Sequence, residues 1–261
     1  MHPESTIKPE PLIIAHRGES HLAPENTLAS VNLAWERGAC AVEVDVHMTS
    51  DGEVAVIHDR NTFRTTGVRH HVNHTPLAAL QRLDAGSWKG AAWKGEKIPS
   101  LKDVLAVVPV RGRMVIEMKS GAGMPDTISR IIRESRLRND QVEIISFDFR
   151  LLSEAKRRMP EHRMLWVIES RSLWRQFATG HHPKAVLRRL DRHGVDGTAV
   201  GDSRHLNRQF IRQMTVAGRP LYVWTVNDPG RAAQLLELGA TGITTDRAGW
   251  LSGLLGEGNA E

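Results

Sequence analysis

Short apolar and β-branched runs alternate along the chain with longer stretches whose apolar residues recur every three or four positions. Eight runs stand out: LIIAH (12–16), AVEVDV (41–46), RMVIEMK (113–119), VEIISF (142–147), RMLWVI (163–168), GTAVG (197–201), PLYVWTV (220–226) and GITT (242–245). Their length suits buried strands, and amphipathic helices fit between most of them. Leu28, Val31 and Trp35 form a stripe behind a cap at Asn26 or Thr27. Ser100 caps a helix with Leu101, Val104, Leu105 and Val108 on one face, and Leu206, Phe210, Met214 and Ala217 form another stripe. Eight strands alternating with helices predict an α/β fold, a (β/α)8 TIM barrel. A doubly wound open sheet is the structural alternative, and the count of eight favours the barrel.

One connection breaks the alternation. The second strand runs into SDGE and then VAVIHD, and Asp51-Gly52 between two alternating runs signals a hairpin. With Asp51 and Gly52 as the central turn residues, His58 lies opposite Asp45 on one face; another turn type would shift that pairing by one residue. The following stretch, about 59–99, is long for a barrel connection. In it Thr75 can cap a short helix with Pro76 at its first position, and Leu77, Leu80 and Leu83 make a stripe. A Gly-rich segment with Trp88 and Trp93 follows. The stretch reads as a small subdomain inserted over the barrel rim, within a single domain spanning 1–261.

Composition narrows the class. With 261 residues, 40% of them hydrophobic, the chain can bury a substantial core. No run of about 18 apolar residues occurs, so stable membrane insertion is not expected. The first ten residues lack a basic start and an apolar core, which points to a cytoplasmic protein without a secretory leader. Cys40 is the only cysteine, and its place at the start of an apolar run predicts a buried, inert thiol. The net charge of +5 comes from dispersed arginines that read as solvated helix faces, and aromatic content of 5% gives little means of stacking bases; no nucleic-acid partner is expected.

Candidate chemistry gathers at strand ends. Glu43 and Asp45 share one strand face while Val42, Val44 and Val46 share the other; Glu117 and Lys119 likewise oppose Ile116 and Met118. Three carboxylates converging from adjacent strands need something positive between them. A salt-bridge network with Arg17 and Lys119 would serve, but it would need no histidines. A divalent metal held by Glu43, Asp45 and Glu117 fits better, and all-oxygen ligands suit Mg²⁺ or Ca²⁺. His16 and His58 end the first strand and the hairpin arm, beside this cluster. They suit an acid–base pair more than metal ligands. Arg17 offers a planar fork and Lys119 a point charge for phosphate oxygens. Metal, Arg and Lys together stabilise an anion whose charge grows in the transition state, which describes phosphoryl transfer. Lys119 as a Schiff-base nucleophile would need a lowered pKa, and neighbouring carboxylates raise it. Phe147 and Trp224, at two other strand ends, are placed to wall a pocket or to fill the core. Glu25 and Asn26 either start a helix or brace the site. The histidines at 70, 71, 74, 181 and 182 lack convincing ligand spacing and read as loop residues.

The motifs AHRG…APENTLAS, VEVDVHMTSDGEVAVIHD, RTTG, LDAGSW, IPSLKDVL, IEMKS, SFD, VWTVN and GITTD, in that order, resemble the glycerophosphodiester phosphodiesterase family, in its short cytoplasmic bacterial form. The likeness runs over about residues 11–246 and is weakest in 161–205. It implies a TIM barrel with an inserted subdomain, a Ca²⁺ or Mg²⁺ ion, and hydrolysis of glycerophosphodiesters to glycerol 3-phosphate and an alcohol. By that resemblance the metal carboxylates fall on Glu43, Asp45 and Glu117, the acid–base histidines on His16 and His58, and the phosphate-binding cations on Arg17 and Lys119. The implied partner is a small glycerophosphodiester. The rival within the fold is a phospholipase D-type enzyme acting on lysophospholipids, which would need an apolar approach for the acyl chain.

Overall fold

The computed structural model describes residues 11–121, 123–169, 183–203, 206 and 208–257. Its strands are β1 (Leu12–His16), β2 (Ala41–Met48), β3 (Val54–Val56), β4 (Arg113–Ser120), β5 (Val142–Ser146), β6 (Arg163–Ile168), β7 (Gly197–Gly201), β8 (Leu221–Trp224) and β9 (Gly242–Thr245). They order as β1-β9-β8-β7-β6-β5-β4-β2, and β1 also pairs with β2, so the ring closes. Every pairing within the ring is parallel, while β3 lies antiparallel on β2 outside it. The eight ring strands are those expected from the sequence, and the closed (β/α)8 barrel replaces the open-sheet alternative.

Strand alternation builds two apolar layers. Val42, Val44, Val46, Ile116 and Met118 point outward and pack under the helices. Ile14, Ala41, Val115, Ile145, Leu165, Val167, Ala199 and Tyr222 point inward and fill the barrel. Near the bottom of the barrel the buried Glu143 is partnered twice: Tyr222 donates to it at 2.6 Å and Arg163 at 3.0 Å. With that end packed, the C-terminal strand ends are left to carry chemistry.

Several local expectations shift. Helix Leu28–Glu36 is capped by Thr27, whose side chain accepts from Ser30 N in a capping box; Asn26 has other work. The helix after Ser100 ends at Ala106, so Val108 lies beyond it, and Ala217 falls just past helix Arg208–Val216 on the exposed side. Thr75 spends its hydroxyl on His71 O, and it is Asp51, in the hairpin turn, that accepts from Leu77 N at 3.2 Å. Cys40 is exposed rather than buried, because it stands one residue before β2 begins, outside the helix layer.

The hairpin is the main correction. Gly52 N donates to Thr49 O at 3.2 Å and Gly52 adopts φ +77°, giving a three-residue loop in place of a two-residue turn. The ladder therefore pairs Val46 with Val56, and Asp45 O accepts from Ile57 N at 2.9 Å. His58 does not sit opposite Asp45; it leaves the ladder one residue later. Beyond it the inserted stretch has its own small core of Ala55, Ile57, Val72, Leu80, Ala85 and Ile98. His70 lies in a surface loop, His71 bridges to Asn61 and His74 ends a 3-10 turn, Val72–His74; His71 and His74 are exposed, and His181 and His182 lie outside the described residues.

Candidate active site

After β1 the chain turns through two left-handed residues, Arg17 (φ +56°) and Gly18 (φ +82°). A side chain at Gly18 would meet Ser30 at 2.5 Å, so only glycine permits this turn to lie against the first helix. The turn aims Arg17 N at Glu43 Oε2 (3.1 Å) and carries the guanidinium across to Glu25 Oε1 (2.8 Å) and to within 3.1 Å of Asp45 Oδ2. Asn26, also left-handed at φ +57° and buried, grips Asp45 from both ends. Its Nδ2 donates to Asp45 Oδ2 at 2.8 Å, and its Oδ1 accepts from Asp45 N at 3.1 Å. Of the two readings of Glu25 and Asn26, the geometry supports the bracing one.

Glu43 and Asp45 come from β2, and Glu117 lies directly across from Asp45 on β4. All three are buried, and one oxygen from each falls within 4.8 Å of the others, the one such group of His, Cys, Asp or Glu among the described residues. Lys119 Nζ stands 2.8 Å from Asp45 Oδ1 and 2.6 Å from Glu117 Oε1. The ion pairs foreseen as the structural alternative thus exist, and they reach Asp45 and Glu117 but leave Glu43 Oε1 without a partner. Glu43 Oε1, Asp45 Oδ1 and Glu117 Oε1 are buried with no well-angled hydrogen-bond donor, although Lys119 is close to two of them. Buried carboxylate oxygens without donors are costly. An all-oxygen donor set this close together fits a hard divalent cation.

The electrostatics agree. Burial, reinforced by the charges of Asp45 and Glu117, holds Glu43 well above the usual carboxylate range. Burial and Asp45 likewise push Glu117 up to about 7. Burial works the same way on Asp45, but Lys119 and Arg17 outweigh it and keep that carboxyl ionised. For Lys119, burial favours the neutral amine; Asp45 and Glu117 override it and raise the ammonium. A raised ammonium is the opposite of what a Schiff-base nucleophile requires.

Both histidines are held by a carboxylate. His16 Nδ1 donates to Asp246 Oδ1 at 2.7 Å, and Asp246 also accepts from Ser20 Oγ (3.2 Å) and Asn227 Nδ2 (2.7 Å). His58 Nδ1 donates to Asp59 Oδ1 at 2.7 Å. The His58 carbonyl accepts from His47 Nε2 at 3.0 Å, which fixes the backbone where it leaves the ladder. Burial lowers the His58 pKa, so its ring favours the neutral form. With Nδ1 committed in both residues, Nε2 is the nitrogen left for exchange with a bound molecule. Sequence reasoning assigned no role to Asp246, Asn227, Asp59 or Arg64. Each lies inside a stretch already singled out, GITTD, VWTVN, VIHD or RTTG, and only its contacts reveal the pairing.

These groups line one cavity of about 140 Å³. His16, Arg17, Glu43, His58, Glu117 and Lys119 form its charged side; Ile145, Val167, Ala199 and Tyr222 form an apolar side. Phe147 follows β5 and Trp224 ends β8. Both line the cavity, and their rings meet edge to face at 5.6 Å, with Phe147 45% exposed at the mouth. A larger groove of about 720 Å³ lies between helices Leu101–Ala106 and Met124–Glu134 and holds none of these groups. Eight of the nine residues expected in the site from sequence line this cavity, and the ninth, Asp45, is fully buried in the carboxylate cluster with Glu43 and Glu117.

Residues 16–250 match the family model "Glycerophosphoryl diester phosphodiesterase family". The Bacillus subtilis protein YhdW is 33% identical over 243 residues, covering 90% of this chain and 93% of its own. A glycerophosphodiester phosphodiesterase of Caldanaerobacter subterraneus subsp. tengcongensis is 30% identical over 252 residues, covering 95% and 98%. Among solved structures, an Oleispira antarctica phosphodiesterase in complex with the product sn-glycerol-3-phosphate superposes with a TM-score of 0.85 at 29% identity, covering 95% of this chain and 97% of that one. Agreement over the whole barrel, not over one motif, decides the matter: the chain belongs to the glycerophosphoryl diester phosphodiesterase family and is an enzyme of that type.

Proposed function

We propose that the enzyme hydrolyses glycerophosphodiesters to glycerol 3-phosphate and an alcohol, using a divalent cation and two histidines, with the barrel and its inserted segment acting as one domain. The observation that carries this is the buried cluster of Glu43, Asp45 and Glu117 beside a small cavity that two carboxylate-anchored histidines also line. Glu43, Asp45 and Glu117 would hold Mg²⁺ or Ca²⁺, which supplies positive charge to the glycerol and phosphoryl oxygens. Arg17 and Lys119 bind the phosphate, Arg17 as a fork and Lys119 as a point charge. One histidine removes a proton from the attacking group through Nε2 while the other delivers a proton to the departing alkoxide; attack by the glycerol 2-hydroxyl gives a cyclic phosphate that water then opens to glycerol 3-phosphate, and attack by water gives glycerol 3-phosphate directly. Asp246 and Asp59 hold the rings in register for this. Phe147 and Trp224 pack on the carbon skeleton of the substrate.

The volume of about 140 Å³ suits a deacylated headgroup more than a lysophospholipid, whose acyl chain would have to run out past Phe147. The test is release of the free alcohol, choline or ethanolamine, from glycerophosphocholine, glycerophosphoethanolamine and lysophosphatidylcholine, with and without EDTA, the phosphate product being glycerol 3-phosphate from the first two and lysophosphatidic acid from the third. Chelator-sensitive release from the first two is expected. Faster turnover of lysophosphatidylcholine would favour the phospholipase D-type reading, and undiminished activity after chelation and His58→Ala would sink the proposal.

A further inference from the structure

We propose that Arg64, in the inserted segment, is a positioning residue that sets the geometry of His58 and Arg17 together; this rests on the reading of the site given above. Arg64 lies in the short helix Phe63–Thr66, outside the barrel wall. Its guanidinium grips two carboxylates at once. Nη1 and Nη2 donate to Glu25 Oε2 and Oε1 at 2.7 and 2.8 Å, and Nε and Nη2 donate to Asp59 Oδ2 and Oδ1 at 2.8 and 3.2 Å. The same Glu25 Oε1 accepts from Arg17 Nη1 at 2.8 Å, and the same Asp59 Oδ1 accepts from His58 Nδ1 at 2.7 Å. A continuous chain therefore runs His58–Asp59–Arg64–Glu25–Arg17, joining the hairpin exit to the β1 loop.

The shape of the arginine matters here. A planar fork with five N–H donors can fix the planes of two carboxylates; an ammonium can only attract them. With both carboxylate planes fixed, the His58 ring and the Arg17 fork are aimed from one point. Without Arg64, Asp59 could rotate away from His58, and Glu25 would pull on Arg17 from an unset direction. Arg64 is 43% exposed, but Glu25 is only 13% exposed, so this pair can bear on stability as well as on orientation. Orientation is where small displacements weigh heavily on rate.

The test uses the full chain with Mg²⁺ or Ca²⁺ and glycerophosphocholine as substrate. Arg64→Ala should lower kcat/KM by roughly 10–100-fold, as loss of an orienting partner does elsewhere, measured at a temperature where the variant is fully folded. The loss should divide: Asp59→Asn lowers kcat, Glu25→Gln raises KM, and Arg64→Ala does both. Adding Arg64→Ala to the Asp59→Asn/Glu25→Gln double variant should then cost little more, because the chain is already broken. Arg64→Lys should recover only part of the loss, and millimolar guanidinium should partly rescue Arg64→Ala through the exposed site. Wild-type-like kinetics of Arg64→Ala, or a full loss that persists in the double-variant background, overturns the proposal. A wild-type enzyme inactive on glycerophosphocholine would instead overturn the functional reading beneath it.

Discussion

His16 and Asp246 stand 230 positions apart in the chain, yet His16 Nδ1 and Asp246 Oδ1 lie 2.7 Å from each other. The contact exists because β1 and β9 are neighbours in the closed ring, pairing Ala15 with Thr245 just before each strand delivers its polar residue. Asp246 is itself locked by Ser20 and Asn227, so it orients the ring and does not follow it. Asp246→Asn should therefore reduce kcat by roughly 10–100-fold. Steady-state kinetics across pH will show whether the loss is in kcat, as orientation of His16 requires, with KM nearly unchanged.

Acid stability reports on the same residue. Burial alone would raise the Asp246 pKa, but the bonds from His16 and Asn227 outweigh it and hold the group down at about 2. The unfolded value is about 3.9. A group depressed in the folded state contributes stability that is complete above its unfolded pKa and disappears as pH falls through the folded one. Wild-type stability should decline between about pH 5 and pH 2. Asp246→Asn should show a shallower decline in urea melts over that window.

Metal should act on stability as well as on rate. Cation at 100 times its dissociation constant stabilises a protein by about 2.7 kcal/mol. Mg²⁺ or Ca²⁺ added to chelated protein should therefore raise the melting temperature by several degrees. Glu43→Gln removes a buried carboxylate whose pKa is already driven well up, so the metal-free variant should melt no lower than wild type. It should lose the metal-dependent rise. Calorimetry on the four samples separates the two effects.

Asn26 offers a prediction about the scaffold. Asn26→Ala leaves Asp45 without two hydrogen bonds and forces alanine into φ +57°, a conformation asparagine tolerates better. The expected cost is roughly 2–4 kcal/mol, measured by denaturant titration. Metal affinity should fall with it, because Asp45 is then free to turn.

Much of the site was legible in the sequence because strand geometry is periodic. Period-two alternation puts Glu43 with Asp45 and Glu117 with Lys119 on the inner face, whatever the rest of the chain does. His16 and Trp224 are strand ends and fall at the rim by the same rule, and Phe147 follows directly after one. The register of His58 was less secure, since one left-handed glycine in the hairpin moves every pair by a residue. Cys40 was misplaced for a related reason. An apolar neighbourhood in sequence says nothing about which side of a strand start faces solvent.

By itself, then, the sequence determined the eight strands, their inward carboxylates, the histidines at the rim and the inserted segment, all of which follow from local periodicity and turn chemistry. Only the tertiary structure decided which charge meets which. Asp246 reaches His16 through ring closure, Arg64 spans Glu25 and Asp59 through the folded insertion, and Asn26 turns inward to Asp45 while Thr27 takes the cap. These are contacts between groups far apart in the chain or between competing local partners. Their outcome depends on the relative placement of whole elements, which no window of sequence encodes.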